Sequence, residues 1–271
     1  MKLNVLAVVA ILLGAFSASV AADRKTERVI FVMTDGLRWE DLYRGADPLL
    51  MNKESGIKDL PAIQEAFERP TPEARREAMM PFVWGTIAKQ GQLYGNADKG
   101  SKVRVTNGMN FSYPGYSEIL CGFADPRIDS NKKIPNPNFT VFEWLYKKPQ
   151  LDGKVAAFAA WDVFPSIFNA ERCGFLVNAG HDPLRELPDN PRIQLLNELK
   201  GELYRQWAGE PFDPLSFQTA IEYLRVKKPK LMFLSLGETD EWGHAGRYDE
   251  YLRSARRVDS YLQQLWETLQ A

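Results

Sequence analysis

Cysteine and histidine are scarce in this chain of 271 residues, which contains two of each. Two cysteines are too few for the disulfide framework that holds many small secreted domains together. Whether Cys121 and Cys173 pair stays open, because both lie in apolar stretches where small buried thiols are common. The fold must therefore depend on apolar packing, and the length suffices for one large core or two small ones.

A surplus of charge is also missing, since 34 Lys and Arg against 35 Asp and Glu give a net charge of −1. Basic pairs occur at Arg75–Arg76, Lys132–Lys133 and Lys227–Lys228. Such short, scattered pairs are typical of solvated surface. We therefore expect no nucleic-acid partner, and 45% hydrophobic with 25% charged residues is the composition of a folded globular protein.

Long apolar runs are absent except at the N-terminus, where Val5–Phe16 follows Lys2 and precedes the small residues Ala18–Ala22. This pattern predicts a signal peptide over residues 1–22, and an uncleaved anchor is the alternative. Residues 23–271 would then form a single α/β domain in the periplasm or secreted. No later segment is apolar enough to cross a bilayer, so we expect no membrane contact beyond the signal peptide.

Three short apolar runs, at residues 28–33, 154–160 and 231–236, predict buried strands. Val103–Thr106 is a further possible strand. Helical patterns alternate with the three runs, and they cover residues 58–69, 73–90, 141–147, 191–207, 214–227 and a long stretch beyond Tyr248. The alternation predicts an α/β fold, a mostly parallel sheet with helices on both faces. Ligands bind such sheets at the carboxyl ends of the strands.

Two polar segments follow predicted strands. Asp35 comes directly after the first run, within Thr34-Asp35-Gly36, although Asp-Gly is also a common turn. Asp240 and His244 follow the third run and are four residues apart, so one helical turn would bring carboxylate and imidazole to one side. An oxygen and a nitrogen ligand together suit zinc or a similar ion.

The third polar segment is Asn110–Gly122, which runs into a predicted helix opened by Pro114. Ser112 would lie just before the helix N-terminus, where free N–H groups and the helix dipole favour an anion. A hydroxyl there is a candidate nucleophile if its pKa is lowered. An ordinary serine N-cap is the alternative.

Together these segments resemble motifs of the alkaline phosphatase superfamily, within it the nucleotide pyrophosphatase/phosphodiesterase and sulfatase-like branches. There the first strand ends in a metal-binding Asp, the place of Asp35. The Thr, Ser or modified Cys nucleophile is followed by Pro two residues on and Gly ten residues on, the spacing of Ser112, Pro114 and Gly122. The later metal motif reads Glu-x-Asp-x-x-Gly-His, which Glu238–His244 matches.

The resemblance implies an alkaline-phosphatase-like fold and hydrolysis of small phosphate mono- or diesters on a site of two divalent ions. Zinc is the expected metal, with Mn, Mg or Ca as alternatives. Asp35 would ligate the ion that activates Ser112, and Asp240 and His244 the ion that holds the attacking water. Ser112 would form a covalent phosphoserine intermediate. Asn110, by its proximity, would donate a hydrogen bond to a substrate oxygen.

The sequence departs from the superfamily in its histidines. A second Asp-His pair and one further His are required, yet only His181 remains, in a loop where a surface histidine is the favoured interpretation. We therefore expect the chain to be C-terminally truncated, without its second-site ligands and weak as a catalyst.

Other functions stay open as alternatives. The different-class alternative is a non-catalytic secreted binding protein on the same fold. Sulfatase and phosphoglycerate mutase activities are less favoured, although Ser117-Glu118 resembles the mutase nucleophile segment and makes Ser117 the fallback nucleophile. Among the tryptophans, which mostly predict core packing, Trp161 and Trp242 are the two that could line a substrate pocket.

Overall fold

The computed structural model describes residues 26–270, and the predicted signal peptide lies outside these residues. Within the described part, no helix is both long and apolar enough to cross a membrane. Cys121 and Cys173 are both free thiols, so the disulfide left open by the sequence does not form.

One parallel sheet of four strands organises the described residues. The strands are β1 (Val29–Thr34), β2 (Val155–Ala159), β3 (Leu176–Ala179) and β4 (Leu231–Leu236). Their order across the sheet is β1-β4-β2-β3, and every neighbouring pair is parallel. The predicted α/β class with a parallel sheet is therefore confirmed. All four carboxyl ends lie at one edge, which we call the carboxyl edge.

Twelve α-helical segments are found in residues 26–270, several of them only one turn long. They are α1 (Trp39–Arg44), α2 (Leu60–Phe67), α3 (Pro72–Met79), α4 (Ala88–Gln90), α5 (Ser112–Cys121), α6 (Val141–Tyr146), α7 (Phe164–Ile167), α8 (Ala170–Cys173), α9 (Pro191–Glu202), α10 (Asp213–Lys227), α11 (Glu238–His244) and α12 (Tyr248–Gln270). Short 3-10 turns lie at Pro48–Leu50, Ala97–Lys99 and Pro149–Leu151, and Val83–Ile87 is a π-helical turn.

The strand prediction for Val103–Thr106 is wrong. This stretch is an exposed loop, in which Val103 and Val105 leave 72% and 43% of their surface in solvent. Its backbone is bound instead by a side chain, because the N–H of Thr106 donates to the Glu118 carboxylate at 2.6 Å. Strand β3 is not predicted by the sequence pattern, because its four residues include the polar Asn178 and form no continuous apolar run.

The helical stretch predicted over residues 73–90 is broken into two. Helix α3 ends at Met79, and Pro81, which has no N–H to donate, stands at the break. The chain then restarts as the π-helical turn, where the carboxylate of Asp259 on α12 accepts the N–H groups of Phe82 and Val83 at 2.9 and 2.8 Å. A distant acid therefore satisfies the orphan donors of this new start.

Side chains of the central strands alternate between two cores. Ala156, Phe158, Met232 and Leu234 belong to the cluster that α9, α10 and α12 cover. Val155, Ala157, Leu231 and Phe233 belong to the opposite cluster, covered by α5 to α8. Because both faces of β2 and β4 are covered, these strands are continuous apolar runs without polar alternation. Helices therefore lie on both faces, as predicted.

Phe233 is the centre of the second core. Its ring lies 5.8, 5.2 and 5.1 Å from the rings of Phe142, Phe164 and Phe168. Phe31, on the neighbouring strand β1, stacks on it at 5.9 Å. These contacts join helices α6 and α7 to the sheet beneath the carboxyl edge.

We predict that Phe233→Ala lowers the free energy of unfolding by about 3–5 kcal/mol, because the fully buried ring leaves a cavity that its aromatic neighbours cannot fill. Phe123→Ala is the matched control, since that ring is 52% exposed and its removal should change stability by no more than about 0.5 kcal/mol. Urea unfolding followed by circular dichroism measures both. Equal losses in the two variants would contradict this account of the core.

Candidate active site

Asp35 lies at the carboxyl end of β1, where it is bound by the neighbouring strand β4 and by helix α5. Its N–H donates to the carbonyl of Leu236 at 3.0 Å, and its carboxylate accepts the hydroxyl of Tyr116 at 3.2 Å. Burial is the main cause that raises the pKa of Asp35, and the charge of Asp240 adds to it. The neighbouring hydroxyls of Ser112 and Tyr116 act in the opposite direction.

Gly36 brings the end of β1 against the start of α11. Its φ of +69° is a left-handed conformation that glycine adopts at little cost. A Cβ at this position would lie 2.7 Å from the backbone nitrogen of Asp240, and closer still to its Cα. The hydroxyl of Thr239 also donates to the carbonyl of Asp35. Two predicted metal ligands, Asp35 and Asp240, are thereby fixed side by side.

Ser112 is the first residue of α5, with Phe111 as its N-cap, so the expectation that the helix opens at Pro114 is wrong. Ser112 is half-buried, and its hydroxyl lies near enough to Asp35 to lower the pKa of that carboxyl group, although within residues 26–270 no hydrogen bond joins the two side chains. The predicted nucleophile thus lies beside a predicted ligand. The N–H of Tyr113 is taken by Asn131 at 3.0 Å, and Pro114 has none. Few backbone donors at this N-terminus are thus free for an anion, fewer than the sequence suggested.

Asn110 and Ser117 do not join this group. Asn110 is exposed in the loop before α5, and within residues 26–270 its side chain makes no hydrogen bond. Ser117 is 2% exposed, and its hydroxyl accepts the amide of Asn136 at 3.1 Å. Burial and an occupied hydroxyl argue against Ser117 as the fallback nucleophile.

Asp240 and His244 lie one turn apart on α11, as their spacing predicted. The imidazole Nε2 is 3.3 Å from the Asp240 carboxylate. The His244 side chain is 78% exposed and that of Asp240 is 32% exposed, so the pair faces solvent at the rim of the site. Burial raises the pKa of Asp240 above its ordinary value.

Glu238, the first residue of the motif, has a different place. It is 2% exposed and points away from the pair, into the interior. Its carboxylate accepts the N–H of Asp213 at 2.8 Å and the hydroxyl of Ser254 at 3.0 Å, and it forms an ion pair with Arg257. Glu238 therefore ties α11 to α10 and α12.

Glu210, which no sequence motif predicts, reaches the site from the loop before α10. Its carboxyl group covers Gly237, where a Cβ would lie 3.0 Å from the carboxyl carbon. Burial, together with the charges of Glu241, Asp213, Asp35 and Asp240, raises the pKa of Glu210 to about 9. No motif marks this residue in the sequence, because only the path of a long loop brings it to the carboxyl edge.

Four carboxyl groups thus interact electrostatically at this edge, those of Asp35, Glu210, Asp240 and Glu241. Within residues 26–270, none of the four forms an ion pair with lysine or arginine. Buried carboxylates without a cation are unfavourable, and a divalent ion is one group that relieves their repulsion. Their oxygens, with the imidazole of His244, therefore fit a divalent cation in their chemistry.

The carboxylates and His244 are not arranged around a common centre, as ligands of a bound ion would be. In the part of the chain that the structure describes, no three His, Cys, Asp or Glu side chains are grouped as they would be around a bound metal. His181, expected at the surface, is half-buried, and its Nδ1 has no hydrogen-bond partner. It shares a small cavity with Glu210, and its Nε2 lies 3.4 Å from the carbonyl of Trp207.

Comparison with known proteins adds no relative: the chain matches no protein-family model and no curated protein. What identifies a candidate site is therefore its own geometry. Asp35, Ser112, Asp240 and His244, which lie far apart in the sequence, gather at one edge of the sheet. Trp242 is held nearby, 5.0 Å from the ring of Trp207.

We predict that Gly36→Ala destabilises the protein by about 1–3 kcal/mol more than Gly100→Ala, because only the first methyl group meets the backbone of Asp240. Gly100 has a similar φ of +72° with nothing within 4 Å, so its variant measures the backbone strain alone. Urea unfolding of both variants tests this. Equal destabilisation would mean that the close approach of β1 to α11 is not required.

A second prediction concerns pH. Folding raises the pKa of Glu210 from 4.5 to about 9, so the folded chain holds a proton that the unfolded chain releases. As far as Glu210 is concerned, the free energy of unfolding is therefore highest below pH 4.5, and it falls as pH rises towards 9. In a chelating buffer, Glu210→Gln should therefore gain stability relative to wild type as pH rises from 5 to 8, by up to about 1.4 kcal/mol per pH unit. A difference in unfolding free energy that is independent of pH would contradict the shift.

Proposed function

We propose that the protein is a metal-dependent hydrolase of small phosphate mono- or diesters with Ser112 as nucleophile. One observation carries this proposal: Ser112 lies beside Asp35, and Gly36 next to Asp35 packs against the backbone of Asp240 in the Asp240–His244 pair. A nucleophile beside hard carboxylate ligands is the arrangement that such chemistry needs. An alkaline-phosphatase-like fold is part of the same proposal.

Asp35, Asp240 and His244 would hold the metal, and Glu210 and Glu241 would supply further oxygens. When bound, a divalent ion lowers the pKa of a nearby hydroxyl or water and neutralises charge on phosphoryl oxygens. Zinc suits the Asp–His pair, while Mn or Mg suits the carboxylates. With two histidines in the sequence, we expect a single, weakly bound ion and slow turnover.

The chain's own residues define the order of events. Asp35 orients the Ser112 hydroxyl and accepts its proton as the oxygen attacks phosphorus, and the bond from phosphorus to the leaving oxygen breaks. Asp35 then releases this proton to water and the leaving oxygen takes one proton from water, so that the leaving group departs as an alcohol. Water then attacks the phosphoserine, which releases phosphate or a phosphate monoester and restores Ser112. Tyr116, which donates to Asp35, keeps the carboxylate aimed at the serine.

Export to the periplasm or beyond is proposed from the N-terminal pattern of Lys2 and Val5–Phe16. The substrate would then be a small phosphorylated compound outside the cytoplasm. The second candidate is a non-catalytic binding protein with the same residues. It is favoured by the open donor set, in which no three metal-binding side chains of residues 26–270 are grouped.

We predict that the protein, given Zn²⁺ or Mn²⁺ and p-nitrophenyl phosphate or its bis ester, becomes phosphorylated on Ser112. Acid quenching and peptide mass spectrometry detect the phosphoserine even if turnover is slow, and nitrophenolate release measures turnover. Ser112→Ala should lose both signals. Ser117→Ala is the matched control and should keep both, because that hydroxyl is buried against Asn136.

Metal binding is measured in the same proteins by calorimetry. Asp240→Asn and His244→Ala should weaken it by about tenfold or more. Metal binding without phosphoserine or turnover would support the binding protein instead. Turnover that survives Ser112→Ala would remove this residue from the mechanism.

A further inference from the structure

A basic groove lies at the end of the sheet opposite the candidate site. It is a cavity of about 850 Å³ lined by the first residues of β1 and β4, including Val29 and Leu231. Five basic side chains from four separate stretches of the chain line it together with one acid, Glu27: they are Arg28, Lys148, Lys154, Lys228 and Lys230. The Lys227–Lys228 pair, expected to be ordinary surface, thus contributes to a larger cluster.

These basic charges are not neutralised by acids of the described residues. Within residues 26–270, none of the five basic side chains forms an ion pair. Elsewhere on the surface, by contrast, Arg44, Arg127 and Lys133 each pair with an aspartate. Unneutralised like charges in one groove repel one another, and an anionic partner relieves this repulsion.

The groove also has an aromatic and apolar rim. Trp144 is 56% exposed there, and the ammonium of Lys148 lies 4.0 Å from the centre of its ring. Leu145 and Leu151 line the same cavity, and Val29 is 48% exposed. Exposed tryptophan beside lysine is the combination that favours the headgroup region of a bilayer.

The acidic cluster and the basic groove lie at opposite ends of the sheet. The acidic site lies at the carboxyl edge, and the groove lies at the amino ends of the same strands, about 20 Å away for strands of six residues. An anionic surface would attract the groove and repel the acidic site. It would therefore orient the molecule with its candidate site towards the water.

The chain enters the folded domain at this groove. Thr26, the first described residue, lines it, and the apolar run Val5–Phe16 precedes it after a short stretch.

We propose that this groove docks the protein on a bilayer of anionic phospholipid, through Lys148, Lys154, Lys230 and the neighbouring Arg28 and Lys228. The docking is peripheral, salt-sensitive and independent of the hydrolase activity.

The test uses the full chain with vesicles of phosphatidylcholine alone or mixed with phosphatidylglycerol, at low salt and at about 0.5 M NaCl. We expect cosedimentation with the anionic vesicles to exceed that with neutral ones and to fall at high salt. Replacing Lys148, Lys154 and Lys230 by Glu should lower the anionic excess by about tenfold or more. Circular dichroism and thermal unfolding check that the variant is folded.

A triple replacement by Glu at Lys53, Lys89 and Lys102, exposed lysines outside the groove, changes net charge equally and is the matched control. It should keep most of the anionic excess. The proposal is wrong if both triples lose binding alike, or if wild type binds both vesicles equally. It is also wrong if wild type binds soluble polyphosphate but not anionic vesicles, since the groove would then serve a soluble polyanion.

Discussion

The candidate site depends on one close approach, that of Gly36 to the backbone of Asp240. Strands β1 and β4 are neighbours in parallel register, so both chains leave the sheet at the same edge and within one strand spacing. A side chain at Gly36 would separate them, whereas glycine lets the first turn of α11 pass directly over the end of β1. Asp35, Asp240 and His244 inherit their positions from this contact.

The site contains two kinds of buried carboxylate. One kind has a cation or hydrogen-bond donors beside it and holds helices together, and the other, among the described residues, lacks a cation and is a candidate for metal binding. Glu238 is buried with Arg257, Ser254 and a backbone N–H, so its charge is compensated where it lies. Glu210 is buried beside other acids, and this environment raises its pKa to about 9. Compensated acids stabilise the joint between α10, α11 and α12. The uncompensated acids store repulsion that a cation would release, and this is why the metal proposal attaches to them.

The sequence predicted those parts of the fold that depend on residues next to one another in the chain. Strands β2 and β4 are apolar throughout because both of their faces are buried, and such runs are visible without a structure. Strand β3 is four residues long at the edge of the sheet and leaves no comparable signal. Val103–Thr106 has strand-like residues, but a strand must pair with a neighbouring strand. In this loop the N–H of Thr106 is bound by the Glu118 side chain instead.

The same division holds for the candidate site. Asp35, Asp240 and His244 could be found because they follow strands directly, so topology alone brings them together. Glu210 and Tyr116 could not, since a long loop and a helix face decide where they point. Asn110 shows the limit of proximity along the chain, because residues two apart at a helix start need not face the same way. A net charge of −1 hides a further non-local property, which is the separation of the acidic cluster at the carboxyl edge from the basic groove at the amino ends. Parallel strands make such a separation possible, because their amino ends and carboxyl ends never share an edge. A protein built this way can use one end to bind an anionic surface while the other end binds cations, and neither charge need cancel the other.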